Sequence, residues 1–306
     1  MGDDHGASLY PDRPFRSYGT ITSIEHILVI HQRSIKRVGG IVRALHLDSI
    51  CKNFGGFHVL MNIDIDLKAG ARLAVIGPNG AGKTTLINVI SGVLKPTSGK
   101  IELFGKEVTR LSPFLRARMG LARTFQILSL FPNLTVFESL LLSVMPVGYN
   151  QLSLLRPIKT HGHLYDTSES VMKEMGLWEK REMLVSNLSH GEQKLVEMAM
   201  SLSQAPKLML LDEPMAGLSP AETAHIGSTI RSLPQDVSLI IVEHNVEAAL
   251  GLAEHVVVLN QGMILAEGSP DEIRNDSRVR EVYLGTEESW KGWKDFRSKR
   301  HQNGSV

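Results

Sequence analysis

The run Gly77-Pro78-Asn79-Gly80-Ala81-Gly82-Lys83-Thr84-Thr85 constrains this chain more than any other stretch of it. The apolar Leu73-Ala74-Val75-Ile76 leads in and Leu86-Ile87-Asn88-Val89-Ile90 leads out. A loop of the form G-x-x-x-x-G-K-[ST] between a strand and a helix is a phosphate cradle. Its glycines let backbone N–H groups approach phosphate oxygens, and the helix N-terminus adds partial positive charge. Lys83 is then expected to reach the β- and γ-phosphates, with the Thr84 hydroxyl on Mg²⁺. The spacing therefore predicts nucleoside triphosphate binding on a P-loop α/β core.

Composition narrows the setting. A length of 306 residues suggests one or two domains at roughly 150 residues each. Lys and Arg number 33 against 32 Asp and Glu, a net charge of +1, so bulk electrostatics give no pull toward nucleic acid. Cys51 is the single cysteine; it cannot form an internal disulfide, which fits a reducing compartment. No stretch reaches the roughly 18 uninterrupted apolar residues of a spanning helix. The best candidate, Leu128 to Val147, is broken by Pro132, Asn133 and Glu138. At the N-terminus Asp3, Asp4 and His5 precede any apolar run, unlike a secretory signal. The chain is not expected to cross a membrane by itself, though it can work at one through a partner.

Residues 1–43 are rich in Arg, His, Gly and Pro, with one apolar island at Ile27-Leu28-Val29-Ile30. They read as a mobile arm or as the product of an upstream start, the true product then beginning near Val42. From Ala44 the pattern turns regular. Leu45 and Leu47, with Ile50, suggest a strand, and Ile63, Ile65 and Leu67 alternate with Asp64 and Asp66, the period of a half-buried strand. Gly99 to Phe104 predicts another. Leu73–Ile76, Leu208–Leu211 and Leu239–Val242 are nearly all apolar, as buried parallel strands are. Val256–Leu259, the turn Asn260-Gln261-Gly262 and Met263–Ala266 read as a closing hairpin. Between about residues 127 and 203 the apolar spacing becomes helical. The expected fold is α/β: a parallel core, an N-terminal antiparallel β subdomain and an inserted helical subdomain.

Leu208-Met209-Leu210-Leu211-Asp212-Glu213-Pro214 is an apolar strand ending in two acids. In phosphate-loop ATPases the first acid orients Mg²⁺ and a neighbouring carboxylate can polarise the attacking water. Upstream stands Leu188-Ser189-His190-Gly191-Glu192-Gln193, which resembles the LSGGQ signature of the ATP-binding cassette (ABC) ATPases. Gln126, in Ala122-Arg123-Thr124-Phe125-Gln126, stands where that family has its glutamine loop. His244, after Ile240-Ile241-Val242-Glu243, matches the switch histidine, and Phe54 matches the aromatic that stacks on adenine. The resemblance runs from about Ala44 to Gly285, leaving 1–43 and 286–306 outside the ATPase domain. Family members usually begin close to Val42, which favours the upstream-start reading of the arm.

The resemblance implies roles. Lys83 and the loop around Asn79, Gly80 and Gly82 would hold the phosphates of ATP, with Thr85 beside them. Thr84 and Gln126 would contact Mg²⁺, with Asp212 nearby. Glu213 would be the general base, and His244 would contact the γ-phosphate. Ser189 and Gly191 would complete the ATP site of a second subunit across a head-to-tail dimer. Glu243 is the nearest decoy for the base, out of register with the family. Three departures stand out: His190 replaces the first signature glycine, Glu192 occupies the signature's final position, and Ser219 in Gly217-Leu218-Ser219-Pro220 stands where many relatives have an aspartate. His190 could add pH sensitivity, and the intersubunit contact at Ser219 is left open.

Within the superfamily, Ala122–Gln126 with Leu130-Phe131-Pro132-Asn133-Leu134-Thr135-Val136 resembles ATPase subunits of branched-chain amino acid importers. So do Gly217-Leu218-Ser219-Pro220, Val242-Glu243-His244-Asn245 and Glu281-Val282-Tyr283-Leu284-Gly285. Such importers pair two ATPases, related or identical, with two membrane permeases and a solute-binding protein. That implies a peripheral place on the cytoplasmic face of the inner membrane. Ile127 to Phe131 would line the groove for a permease helix. Urea and amide importers use similar subunits, and exporters the same chemistry. A translation-type soluble cassette ATPase would carry two units per chain, and a DNA-repair type a long coiled coil. In the tail, Trp290, Trp293 and Phe296 recur among Lys291, Lys294, Arg297, Lys299 and Arg300, a pattern open to membrane contact, packing or disorder.

Overall fold

The computed structural model describes residues 43–124, 131–145 and 162–284. The arm, the tail, Gln126 and Ile127 to Leu130 lie outside the described residues.

Two sheets organise the molecule. In the first, β1 (Arg43–Phe54) pairs antiparallel with β2 (Phe57–Lys68) and with β4 (Ser98–Leu103), which carries the short β5 (Lys106–Glu107). It is antiparallel as expected, but it is not a contiguous N-terminal unit. β4 and β5 return to it after the phosphate loop and α1 (Lys83–Ser91) have been made. The Leu45, Leu47, Ile50 spacing has a cause: the register shifts between Leu47 and Ile50, and Ser49 adopts φ 52°. A bulge there turns Ile50 back to the buried face; Leu45, Leu47 and Ile50 are all fully buried.

The second sheet has the order β10-β9-β3-β8-β7-β6. Its parallel strands are β6 (Leu121–Arg123), β7 (Leu208–Asp212), β8 (Ser238–Val242), β3 (Arg72–Ile76) and β9 (His255–Asn260). β10 (Met263–Gly268) closes the edge as the predicted hairpin, with Gln261 at φ 48° and Gly262 at φ 81°, the left-handed pair of a two-residue hairpin turn. Every residue of β7 and β8 is buried, which explains their unbroken apolar runs. α1 is wedged between the sheets through Leu86, Ile87, Val89 and Ile90.

Between β6 and β7 the chain builds a helical layer: α3 (Val136–Val144), α4 (Gly162–Glu174) and α5 (His190–Leu202). Its core joins Val136, Phe137, Leu140, Met172, Leu195 and Val196 to the face of the parallel sheet. Earlier, α2 (Pro113–Arg118) leads into β6. After β7, α6 (Pro220–Ser232), α7 (Val246–Leu250), α8 (Pro270–Asn275) and α9 (Ser277–Leu284) complete the described chain.

Candidate nucleotide site

Parallel strands place their C-terminal ends along one edge of a sheet, where ligands of such folds bind. Here β3 delivers the phosphate loop, β7 delivers Asp212 and Glu213, and β8 delivers Glu243 and His244. Backbone hydrogen bonds set the order: Glu213 N–H donates to Val242 O at 2.9 Å, and Glu243 N–H to Val75 O at 3.3 Å.

Two of the loop's glycines are required by close approach. A Cβ on Gly77 would lie 2.2 Å from Leu259 O, and one on Gly82 2.9 Å from Val59 O. Gly82, at φ 104°, is the N-cap of α1 and gives it no side-chain cap, so the first N–H groups of α1 are available to an anion. Asn79, Gly80 and Thr84 are exposed and Thr85 is half-buried. Lys83 folds back over the loop, donating to Gly77 O at 2.7 Å and Pro78 O at 3.1 Å. Burial pushes its ammonium pKa down, while the nearby Glu213 and Asp212 carboxylates pull the other way.

Asp212 is fully enclosed. Oδ2 accepts from Arg123 Nη2 at 3.0 Å, and Arg123 also reaches Asn88 Oδ1 at 2.6 Å and Ser91 Oγ at 3.1 Å. Burial raises the Asp212 pKa against the pull of Arg123. Oδ1 is buried with no hydrogen-bond partner, an orphaned acceptor of the kind that a hydrated cation satisfies. No cluster of three or more His, Cys, Asp or Glu side chains among the described residues could hold a metal.

Glu213 takes φ 51°, a left-handed conformation costly for a side-chain-bearing residue and characteristic of functional sites. Its Oε1 lies 2.7 Å from His244 Nε2. Glu243 explains why the turn holds. Only 2% exposed, it accepts from Met215 N–H at 2.9 Å and His244 N–H at 3.2 Å. One carboxylate thus ties the backbone after Glu213 to the backbone of His244. Burial pushes its pKa up to about 7 against those two amides. The decoy is therefore a brace; only its place beside His244 marked it in the sequence.

Phe54 ends β1 at 45% exposure, with the Lys52 ammonium 4.9 Å from its ring centroid. Its hairpin runs into Val59 and Leu60, the residues packed against Gly82. Ser189 and Gly191 belong to a different surface, the start of α5. Ser189 caps that helix in a box with Glu192, and Glu192 pairs with Lys180. The His190 ring stands against Gly217. The structure thus brings Lys83, Asp212, Glu213 and His244 together, and sets the signature apart on the helical layer. Arg123 and Glu222 went unassigned in the sequence, and Glu243 was read there only as a decoy for the base. Glu222 carried a signal there, the Ser219-Pro220-Ala221-Glu222 capping pattern.

Comparison with known proteins follows the same lines. Residues 60–216 match the family model described as ABC transporter, and residues 263–289 match one described as branched-chain amino acid ATP-binding cassette transporter. The chain is 35% identical over 248 residues to the high-affinity branched-chain amino acid transport ATP-binding protein LivG of Salmonella typhimurium, covering 79% of this chain and 97% of that one. It is 33% identical to the probable LivG of Archaeoglobus fulgidus, covering 81% and 98%. Among solved structures it resembles the ADP conformation of an ATP-binding cassette of an ABC transporter. The TM-score there is 0.72 at 32% identity, over 79% of this chain and 99% of that one.

Proposed function

The chain belongs to the ABC transporter family of ATPases, and from that premise we propose that it powers import of branched-chain amino acids through paired permeases. The observation that carries the mechanism is the convergence of Lys83, Asp212, Glu213 and His244 on one sheet edge. Lys83 and the α1 amides bind the phosphates of ATP. Thr84, Asp212 and Gln126 would hold Mg²⁺, which would supply positive charge against the phosphates. Glu213 takes the proton of the attacking water. His244 Nε2, resting on Glu213 Oε1, is placed to meet the γ-phosphate and orient the base. Phe54 stacks on adenine, and Ser189 and Gly191 receive the γ-phosphate of ATP held by a second ATPase subunit, which is a related partner or a second copy.

The solute assignment rests on the relatives' names and on the match at residues 263–289. A peripheral place at the inner face of a membrane is supported by the relatives, named as transport ATP-binding proteins; no helix among the described residues is long and apolar enough to cross a membrane. The test is uptake by the transporter complex purified through a tag on this chain and reconstituted in vesicles with its binding protein. ATP-dependent leucine uptake that stops in Glu213→Gln, with ATP still bound, is expected. Uptake of urea or short amides in place of leucine would overturn the solute assignment.

A further inference from the structure

Glu222 lies outside every nucleotide motif, yet its carboxylate occupies the start of α5. Oε1 accepts from the Ser189 hydroxyl and from the Gly191 N–H, each at 3.2 Å. Oε2 accepts from the Ser219 N–H at 3.0 Å and the Ser219 hydroxyl at 2.8 Å, closing the capping box of α6. A Cβ on Gly191 would come within 2.7 Å of Oε1, so the carboxylate is seated against bare backbone. A carboxylate oxygen and a terminal phosphate oxygen ask the same of that N–H and hydroxyl: an anionic acceptor at a helix N-terminus.

We propose that Glu222 competes in cis for the signature, so that a partner subunit's ATP closes the dimer only by displacing this carboxylate from Ser189 and Gly191 with its γ-phosphate. The proposal rests on the dimer reading given above. Two anions cannot share the spot without a cation between them. Among the described residues Glu222 forms no ion pair, and the nearby Lys180 is engaged by Glu192. A cleft lined by Leu195, Ala221 and His225 opens beside Glu222 and gives the displaced carboxylate room to swing. ADP presents no γ-phosphate, so Glu222 keeps its place and the dimer stays open. After hydrolysis the carboxylate returns, and its charge opposes reclosure. Glu222 thereby makes closure specific for the triphosphate.

The test is ATP turnover across ATP concentrations in the transporter complex purified through a tag on this chain. Glu222→Gln keeps the side chain's shape and an acceptor for the cap but loses the charge. It is expected to lower the ATP concentration for half-maximal turnover by about tenfold. Ser219→Ala, which strips the α6 cap and leaves Glu222 charged, is expected not to lower it. An unchanged or raised half-maximal concentration in Glu222→Gln overturns the proposal. Ser189→Ala separates the two levels. If it raises the half-maximal concentration, the dimer reading stands whatever Glu222→Gln does; if it changes nothing, that reading falls and the proposal with it.

Discussion

At the scale of single residues, the site depends on carboxylates whose neighbours set their charge. Glu243 is the clearest case, because its folded pKa of about 7 stands above the ordinary 4.5. The folded protein holds that proton more tightly than the unfolded chain does. The group's contribution to stability is therefore complete below pH 4.5 and is lost as pH rises through about 7. The loss amounts to about 3 kcal/mol. Glu243→Gln, which cannot ionise, is expected to flatten the fall in stability across that window, as read from denaturant midpoints at a series of pH values. A fall as steep as that of the unsubstituted protein would show that Glu243 stays charged when folded. Nothing in the sequence marked this residue as a brace. Its partners Met215 and His244 follow two different strands, and that neighbourhood exists only once β7 and β8 pair. Lys83, Asp212 and Glu213 were legible because phosphate chemistry fixes their spacing or their place at a strand end.

Elements show a similar division. Long, fully buried strands such as β7 and β8 announce themselves by composition, and the β9–β10 hairpin by its Asn260-Gln261-Gly262 turn. β6 was missed because three residues, Leu121–Arg123, are too few to show a period. The bulge in β1 left a readable trace only because Leu45, Leu47 and Ile50 skip a step. α1 depends on something no pattern reveals. The fully buried Arg116 of α2 donates from Nη1 to Val89 O at 2.8 Å and Ile90 O at 2.7 Å, carbonyls of the last turn of α1. It also reaches Leu111 O and Thr109 O, each at 3.2 Å. A buried cation thus satisfies the negative end of the helix that begins at Lys83. Arg116→Met, which fills the volume without the donors, is expected to cost about 3 kcal/mol in unfolding free energy. Because α1 carries the phosphate loop at its other end, weakened ATP binding should accompany that loss. Unfolding titrations and nucleotide binding on the same samples check both.

For the whole molecule, the helical layer presents an apolar surface beside the start of α3. Val136 N–H donates to Met183 O, and Val185 N–H to Leu134 O, pinning the segment around Met183 and Leu184 beside Phe131–Thr135. Phe131 is 53% exposed there, with Met183 and Leu184 also exposed. Three large apolar side chains gathered by backbone bonds are costly to leave in water and suit a partner's apolar helix. Phe131 follows β6 in the chain, with residues 125–130 between them outside the described residues, and Arg123 of β6 grips Asp212. Phe131→Asp and Leu184→Asp are expected to abolish co-purification of membrane permeases with the tagged chain. ATP binding by the isolated chain should persist, because both side chains are exposed and lie outside the phosphate loop. Permeases retained in both variants would place the docking surface elsewhere. Loss of ATP binding in either would mean that the surface stabilises the fold rather than receiving a partner.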